Sequence, residues 1–442
     1  MPAEETIQQA ARVDHQLIRG IGTAGLTANI VNSTIGAGIF VVPAAVAKGL
    51  GSAAPLAFVC CAIAMILFVT CFAIAGSRVS LTGGLYAYVE VAFGRYVGFL
   101  AAVLYGVTAI SAVAGVGNVL VDSLGGLVPF FNNSIVRIGV MLVVYLSLVI
   151  VNVRGVRGGA GAVEVVTVTK LLPIAIFLGV GAFFVHRANL TWSTWPTSQH
   201  LGNSVLLLLF AFVGIEVALI PSGEVKNPAR TVPRSAYLAL VVTTIIYILI
   251  QLVAQGTLGP DLANHDKTPL AEAAAKFLGG SGRTILIIGA AISAFGFVAS
   301  DILSSPRMLF AVGRDGVLPQ WFARIHPRYR SPYVAIVVYA ALAFILSVCS
   351  SFEQLAVLSN VAVLLMYLLC CAGVWPLLRQ KVPPDQHVFA FPGMRFIPAL
   401  AIGAILWLFW LTKPWDKFWK IGAILAGFSI LYFFRLRFRR KG

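Results

Sequence analysis

Charge is what this sequence has least of. Only 11% of its 442 residues are Asp, Glu, Lys or Arg, where soluble chains carry about 25%. Hydrophobic residues make up 59% and the mean hydropathy is +0.92. A soluble domain is thereby excluded, and a polytopic membrane protein is implied. Histidine is missing from the apolar runs: His15, His186, His200, His265, His326 and His387 all fall in the tail or in loops. That leaves no histidine proton relay through the membrane, and no HExxH set for a membrane metalloprotease. The cysteines, Cys60, Cys61, Cys71, Cys349, Cys370 and Cys371, sit inside apolar runs with no Cys/His cluster beside them. They read as small hydrophobes, not as disulfide partners or metal ligands. With no convergent catalytic set at membrane depth, neither an enzyme nor a cofactor is expected. Long polar segments are also lacking. The connections 186–201, 256–282, 311–331 and 379–395 are too short to bury cores of their own. The first twenty residues are polar, with Glu4, Glu5, Asp14 and Arg19 and no small-residue cleavage site. The first span is therefore expected to stay attached and act as its own membrane signal.

A helix needs about 20 apolar residues to cross the hydrocarbon. Twelve runs qualify: 22–47, 53–77, 96–121, 134–152, 163–185, 202–223, 235–255, 283–310, 332–350, 354–378, 396–412 and 418–435. The expected fold class is an all-α polytopic membrane protein of about twelve transmembrane helices. With the N-terminus inside, most of the 32 lysines and arginines fall on the inner side, among them Arg78, Arg154, Arg230, Arg307 and Arg328. Both termini are therefore expected in the cytoplasm of a cell-membrane protein. The net charge of +16 is then an orientation signal, and nucleic acid needs no place as a partner. The bilayer is the one partner composition demands, and a basic tail after 435 suits anionic lipid or a plain stop signal.

Ionisable residues left at membrane depth are functional candidates. Lys170 lies about two turns into the fifth span, Glu216 near the middle of the sixth, and Asp301 in the inner half of the eighth. Glu164 and Asp122 sit near the ends of theirs. Lys170 has a competing reading as a snorkelling lysine, Glu216 as a polar group satisfied within the bundle. Asp301 is expected to pair locally with Arg307 or another loop arginine.

Two spans are interrupted. Gly36-Ala37-Gly38 stands near the centre of the first, and Gly214, followed by Pro221 and Gly223, at matching depth in the sixth. Interrupted segments at corresponding places in two halves point to a transporter site at the midplane. Opening the first span frees amides at the positive end of a helix dipole, suited to a carboxylate. The carbonyls freed beside them suit an ammonium group. Together they fit an α-amino acid. The competing reading is close helix packing through small residues, against which Gly36 and Gly38, two apart, do not share one helix face.

The stretches "TIGAGIFVVPAAVA" and "FAFVGIEVALIPSGEVKNPARTVPRS" resemble the first and sixth helices of the amino acid–polyamine–organocation superfamily. "LTGGLYAYVEVAFGR", "NVRGVR", "PRMLFAVGRDGVLP" and "FAFPGMRFIP" resemble further parts of it, in order along the chain. The resemblance implies a five-plus-five inverted repeat, 22–185 and 202–378, with unwound first and sixth helices. Two further helices over 396–435, a tail 1–21 and a basic tail 436–442 complete it. It also implies alternating-access transport of an amino acid. The carboxylate would rest on the amides of Gly36, Ala37 and Gly38, and the amine on carbonyls of Ile35, Phe210, Ala211 and Val213 beside Gly214. Phe210 holds the aromatic position that caps substrate on the extracellular side. Lys170 matches a lysine that stands in for sodium in ion-independent or proton-linked members. It would reach carbonyls near Thr34 and Ile35 and a hydroxyl of Ser293 or Ser300. A lysine that cycles its proton would make a proton-coupled symporter; a lysine fixed as a strut would leave an exchanger. Glu216 would take a proton or attract a cationic substrate. The presumed lining of Ala, Val, Ile, Phe and Gly favours neutral, small or apolar amino acids, with cationic ones or polyamines second. A relative that senses amino acids without carrying them has the same sequence features. Oligomeric state leaves no mark in a single chain.

Overall fold

The computed structural model describes residues 22–79, 84–154, 159–191, 195–216, 225–314, 319–379 and 388–439. Pro221, Gly223, His15, His387, Arg157 and the ends of both tails lie outside the described residues, as does the Glu164 side chain.

Every hydrophobic run carries helix, because a backbone in lipid must satisfy its amides and carbonyls within itself. The first run divides where its glycines stand. Helix α1 spans Thr23–Thr34, a single 3-10 turn covers Ala37–Phe40, and α2 spans Val42–Leu50 with Pro43 in its first turn. Then follow α3 (Ala54–Gly76), the short α4 (Leu85–Phe93), α5 (Arg95–Leu127), α6 (Ser134–Arg154) and α7 (Gly159–Gly181). The next run gives α8 (Ser198–Phe212), which stops just before Gly214. Beyond it lie α9 (Pro228–Leu258), α10 (Pro269–Ser304), α11 (Pro306–Arg314), α12 (Tyr333–Cys349), α13 (Phe352–Arg379), α14 (Ile397–Thr412) and α15 (Trp415–Arg439).

Seven stretches among the described residues are long and apolar enough to cross a membrane: 42–76, 95–127, 134–154, 230–264, 269–310, 352–379 and 415–434. Thr169–Phe184, Ser198–Phe212, Tyr333–Cys349 and Ile397–Thr412 are shorter apolar helices. Two features depart from the sequence expectation. The connection 256–282 is not a loop, since α10 already begins at Pro269 and bends at Gly279, where φ is +62°. The connection 311–331 contains the end of α11 and a 3-10 turn at Gln320–Ala323.

Packing places the breaks at the centre. Helix α9 lies along α1 and α3, and Ser235 Oγ donates to the Thr23 carbonyl where α1 begins. Helix α5 lies along α10 and α13, and α7 packs on α10. A Cβ on Gly289 would come 2.7 Å from Pro173 Cγ, so α10 meets α7 backbone-close at that point. Helices α14 and α15 stand at the periphery with exposed Trp407, Trp410, Trp415 and Trp419, the amphipathic ring that suits a membrane interface.

Candidate functional site

The two interruptions meet. At the end of α1 the chain leaves helical geometry at Ile35 (ψ +82°) and Gly36 (φ −102°, ψ −164°). Gly214 has φ +117°, and a Cβ there would sit 2.9 Å from the Ser33 carbonyl oxygen. Only glycine accepts that backbone and that approach at once. Gly38 is pressed in the same way against Phe210, whose Cδ1 would lie 3.0 Å from an added Cβ.

Between the breaks is a cavity of about 30 Å³, lined by Ser33, Thr34, Gly36, Ala37, Gly38, Ala112, Val116, Phe210, Ala211, Val213 and Phe297. No charged side chain is in that lining. At roughly 10–15 Å³ per water it holds two or three waters, so a larger guest requires Phe210 or Phe297 to move. Phe210 is itself braced edge-on by Phe352, ring centroids 5.3 Å apart. Farther along, Phe40 and Val41 close against Leu286, Ile287 and Ala290, leaving only about 10 Å³. On the opposite side, Ala24, Gly25, Ala28 and Asn29 of α1 are exposed, while Val42, Pro43, Ala44, Val46 and Ala47 of α2 are buried.

The backbone groups at the breaks are mostly occupied. Gly36 N donates to the Thr34 carbonyl at 2.8 Å. The next two amides, of Ala37 and Gly38, open a helical turn and have no acceptor within it. Tyr247 Oη, on α9, lies 2.8 Å from the Thr34 carbonyl and 2.7 Å from the Ala211 carbonyl. One hydroxyl hydrogen thus serves both broken elements in turn. Asn360 Nδ2, on α13, donates to the Leu206 carbonyl at 2.6 Å. Tyr247 and Asn360 escaped the sequence reading. The available signal was a polar group at mid-span in each helix, since a buried Tyr hydroxyl or amide in lipid must find a partner.

Lys170 is 8% exposed, too buried for a snorkelling lysine. Its Nζ donates to the Asn32 carbonyl at 2.6 Å, short of the expected Thr34 and Ile35; the Thr34 oxygen is already held by Tyr247 and the Gly36 amide. Ser293 is 2% exposed, and its hydroxyl has no partner among the described residues. Since Gly289 faces Pro173 and the two helices run antiparallel, Ser293 lies at the level of Thr169–Lys170. Ser300 is exposed instead. Glu216 Oε2 accepts from Gly214 N at 3.0 Å and from Tyr367 Oη at 2.9 Å. Asp301 does not pair with Arg307, which is exposed. Ser305 Oγ donates to its Oδ1 and Tyr339 Oη to its Oδ2, the latter at 2.8 Å. Asp122 pairs with Arg137 at 2.6 Å, joining α5 to α6.

A bundle of apolar helices whose first and sixth runs break against one another around a small cavity has the make-up of a membrane transporter. The sequence pattern of the amino acid permease family matches residues 21–432, and the chain belongs to that family, within the amino acid–polyamine–organocation superfamily. It is 27% identical to the serine/threonine exchanger SteT of Bacillus subtilis (strain 168) over 429 residues, 95% of each chain. It is 26% identical to the branched-chain amino acid permease BcaP of the same organism, covering 97% of this chain and 95% of that one. It is also 26% identical to an arginine/agmatine antiporter of Chlamydia pneumoniae, covering 88% and 85%.

Proposed function

We propose that the chain is a sodium-independent secondary transporter that moves neutral, small or apolar amino acids by alternating access, coupled to protons. The observation that carries this reading is the uncharged cavity between the broken ends of α1 and α8. The amides of Ala37 and Gly38 take the carboxylate, joined by that of Gly36 when it leaves the Thr34 carbonyl, and carbonyls of Ile35, Phe210, Ala211 and Val213 take the amine. A carbonyl has two lone pairs, so Ala211 serves both Tyr247 and a substrate. The walls from Ala112, Val116 and Phe297 accept an apolar side chain and leave a charged one without a partner. The Lys170 ammonium on the Asn32 carbonyl supports sodium independence, since it fills with a tethered cation the ground beside the opened backbone. The open face of α1 and the closed packing of α2 support a state open toward the side where α1 begins. In this reading the repeat is five plus five with two added helices, and both termini are cytoplasmic.

A second reading has a specific motive. Lys170 held at 2.6 Å suits a fixed strut, and SteT and the chlamydial protein are named for exchange. The deciding experiment is uptake of a panel of radiolabelled amino acids into proteoliposomes, with and without an inward proton gradient, for the wild type and Lys170→Ala. Gradient-driven accumulation of neutral amino acids supports symport. Uptake only against internal amino acid makes the protein an exchanger, preference for arginine or polyamines shifts the substrate class, and binding without flux makes it a sensor.

A further inference from the structure

The face of α10 that carries Ser293 and Phe297 continues past the cavity. Ser293, Phe297, Asp301 and Ser305 are spaced by four, which keeps them on one side of a helix. Asp301 therefore lies one turn, roughly 6 Å, beyond the cavity wall at Phe297, on the side where α1 begins. It stands deep in the bundle yet keeps part of its surface open.

Its surroundings are hydroxyls. Ser305 Oγ and Tyr339 Oη each donate to one carboxylate oxygen, and Tyr105 on α5 brings a third hydroxyl to Ser305. Tyr145 on α6 spends its hydroxyl on the Val113 carbonyl and Ser347. The cation of α7, Lys170, is committed to the Asn32 carbonyl. Arg307 on α11 is turned outward. A second carboxylate, Glu216, is held by Gly214 N and Tyr367 Oη. Among the described residues no cation pairs with Asp301.

A carboxylate at membrane depth without a cation is costly when ionised, and one that persists there is a candidate for carrying charge. Hydroxyls suit both of its forms. They donate to the carboxylate, and the Ser305 oxygen accepts from the acid. Loading takes a proton from hydronium at the open face, breaking one of its O–H bonds to leave water and forming an O–H bond at Oδ1, while Ser305 turns from donor to acceptor. Release reverses both changes. We propose that Asp301 is a proton-binding site of the transport path, with Ser305 and Tyr339 as its positioning residues. This rests on the proton-coupled reading above and moves the coupling proton from the Lys170 amine to a carboxylate below the cavity.

The test uses the full chain in proteoliposomes, with radiolabelled L-serine and L-leucine as probes. For one proton per substrate, a gradient of one pH unit raises wild-type accumulation by up to about tenfold. In Asp301→Asn the ratio of uptake with and without the gradient is expected to fall to about one. A second measurement needs no variant. Dicyclohexylcarbodiimide attacks protonated carboxyls in apolar surroundings, and peptide mass spectrometry is expected to find Asp301 modified more in acid than in alkaline buffer, whether or not sodium is present. Tyr339→Phe, which removes one donor to the carboxylate, is expected to move that labelling profile to higher pH, a change a merely structural tyrosine would not make. If Asp301→Asn keeps the wild-type gradient response, the inference is overturned while the symport reading stands. If the wild type itself ignores the gradient, both fall. If Asp301→Asn fails to fold, the labelling decides: no modification at any pH, or modification blocked by sodium, overturns the site.

Discussion

One phenol oxygen ties the two breaks together. Tyr247 reaches the carbonyls of Thr34 and Ala211 from a third helix, so it senses the spacing of the opened segments. Without it, Thr34 keeps the Gly36 amide, but the Ala211 carbonyl loses its donor. An unpaired buried acceptor costs about 1–3 kcal/mol. Tyr247→Phe is therefore expected to lower initial uptake by roughly tenfold, since about 1.4 kcal/mol is a factor of ten, while the protein still elutes as a single folded species. An unchanged rate would show that substrate or water replaces the hydroxyl without cost. The sequence pointed to Gly36, Gly38 and Gly214 because glycine inside an apolar run is a conspicuous anomaly. Tyr247 has no such mark: a tyrosine among Ile and Leu looks like any aromatic until its oxygen is given a position. The same holds for Tyr339 and Tyr105. Without their positions the sequence leaves Asp301 only a loop arginine as partner.

Between elements, the quantity that matters is the gap separating the 3-10 turn at Ala37–Phe40 from α8. That gap is set by Gly38 lying flat against the Phe210 ring. Gly38→Ala puts a methyl 3.0 Å from Phe210 Cδ1, tighter than ordinary contact. The ring is braced by Phe352 behind it, so relief comes from the cavity side. The expected outcome is loss of uptake of every probe, with the larger side chains lost first, and a melting temperature near that of the wild type. Retained leucine uptake would place the apolar side chain elsewhere. The break itself was legible because hydrophobic periodicity and glycine position are local properties. The bend of α10 at Gly279 was not, because Gly279-Gly280 within a polar-looking connection reads equally well as a turn. Nor was the register of α7 on α10, which depends on Gly289 finding Pro173 and which sets Ser293, and not Ser300, at the level of Lys170.

Across the whole molecule, orientation is a matter of where positive charge stops. Arg12 and Arg19 precede α1, Arg78 and Arg95 follow α3, and Arg307, Arg314, Arg324, Arg328 and Arg330 lie in and after α11, so those faces are expected to stay in the cytoplasm. Family membership does not fix this, and the packing of helices is the same in either orientation. The chain carries its own reporter. Cys349, the last residue of α12, is exposed; Cys60 is half-buried within α3, and the other four cysteines are buried. With the N-terminus inside, α12 runs outward and Cys349 ends at the extracellular face. A membrane-impermeant maleimide added to intact cells is expected to label the wild type once, and Cys349→Ser not at all. Labelling that occurs only in inside-out vesicles would reverse the assignment. The open face of α1 would then look outward, and the direction in which Asp301 meets its protons would reverse with it.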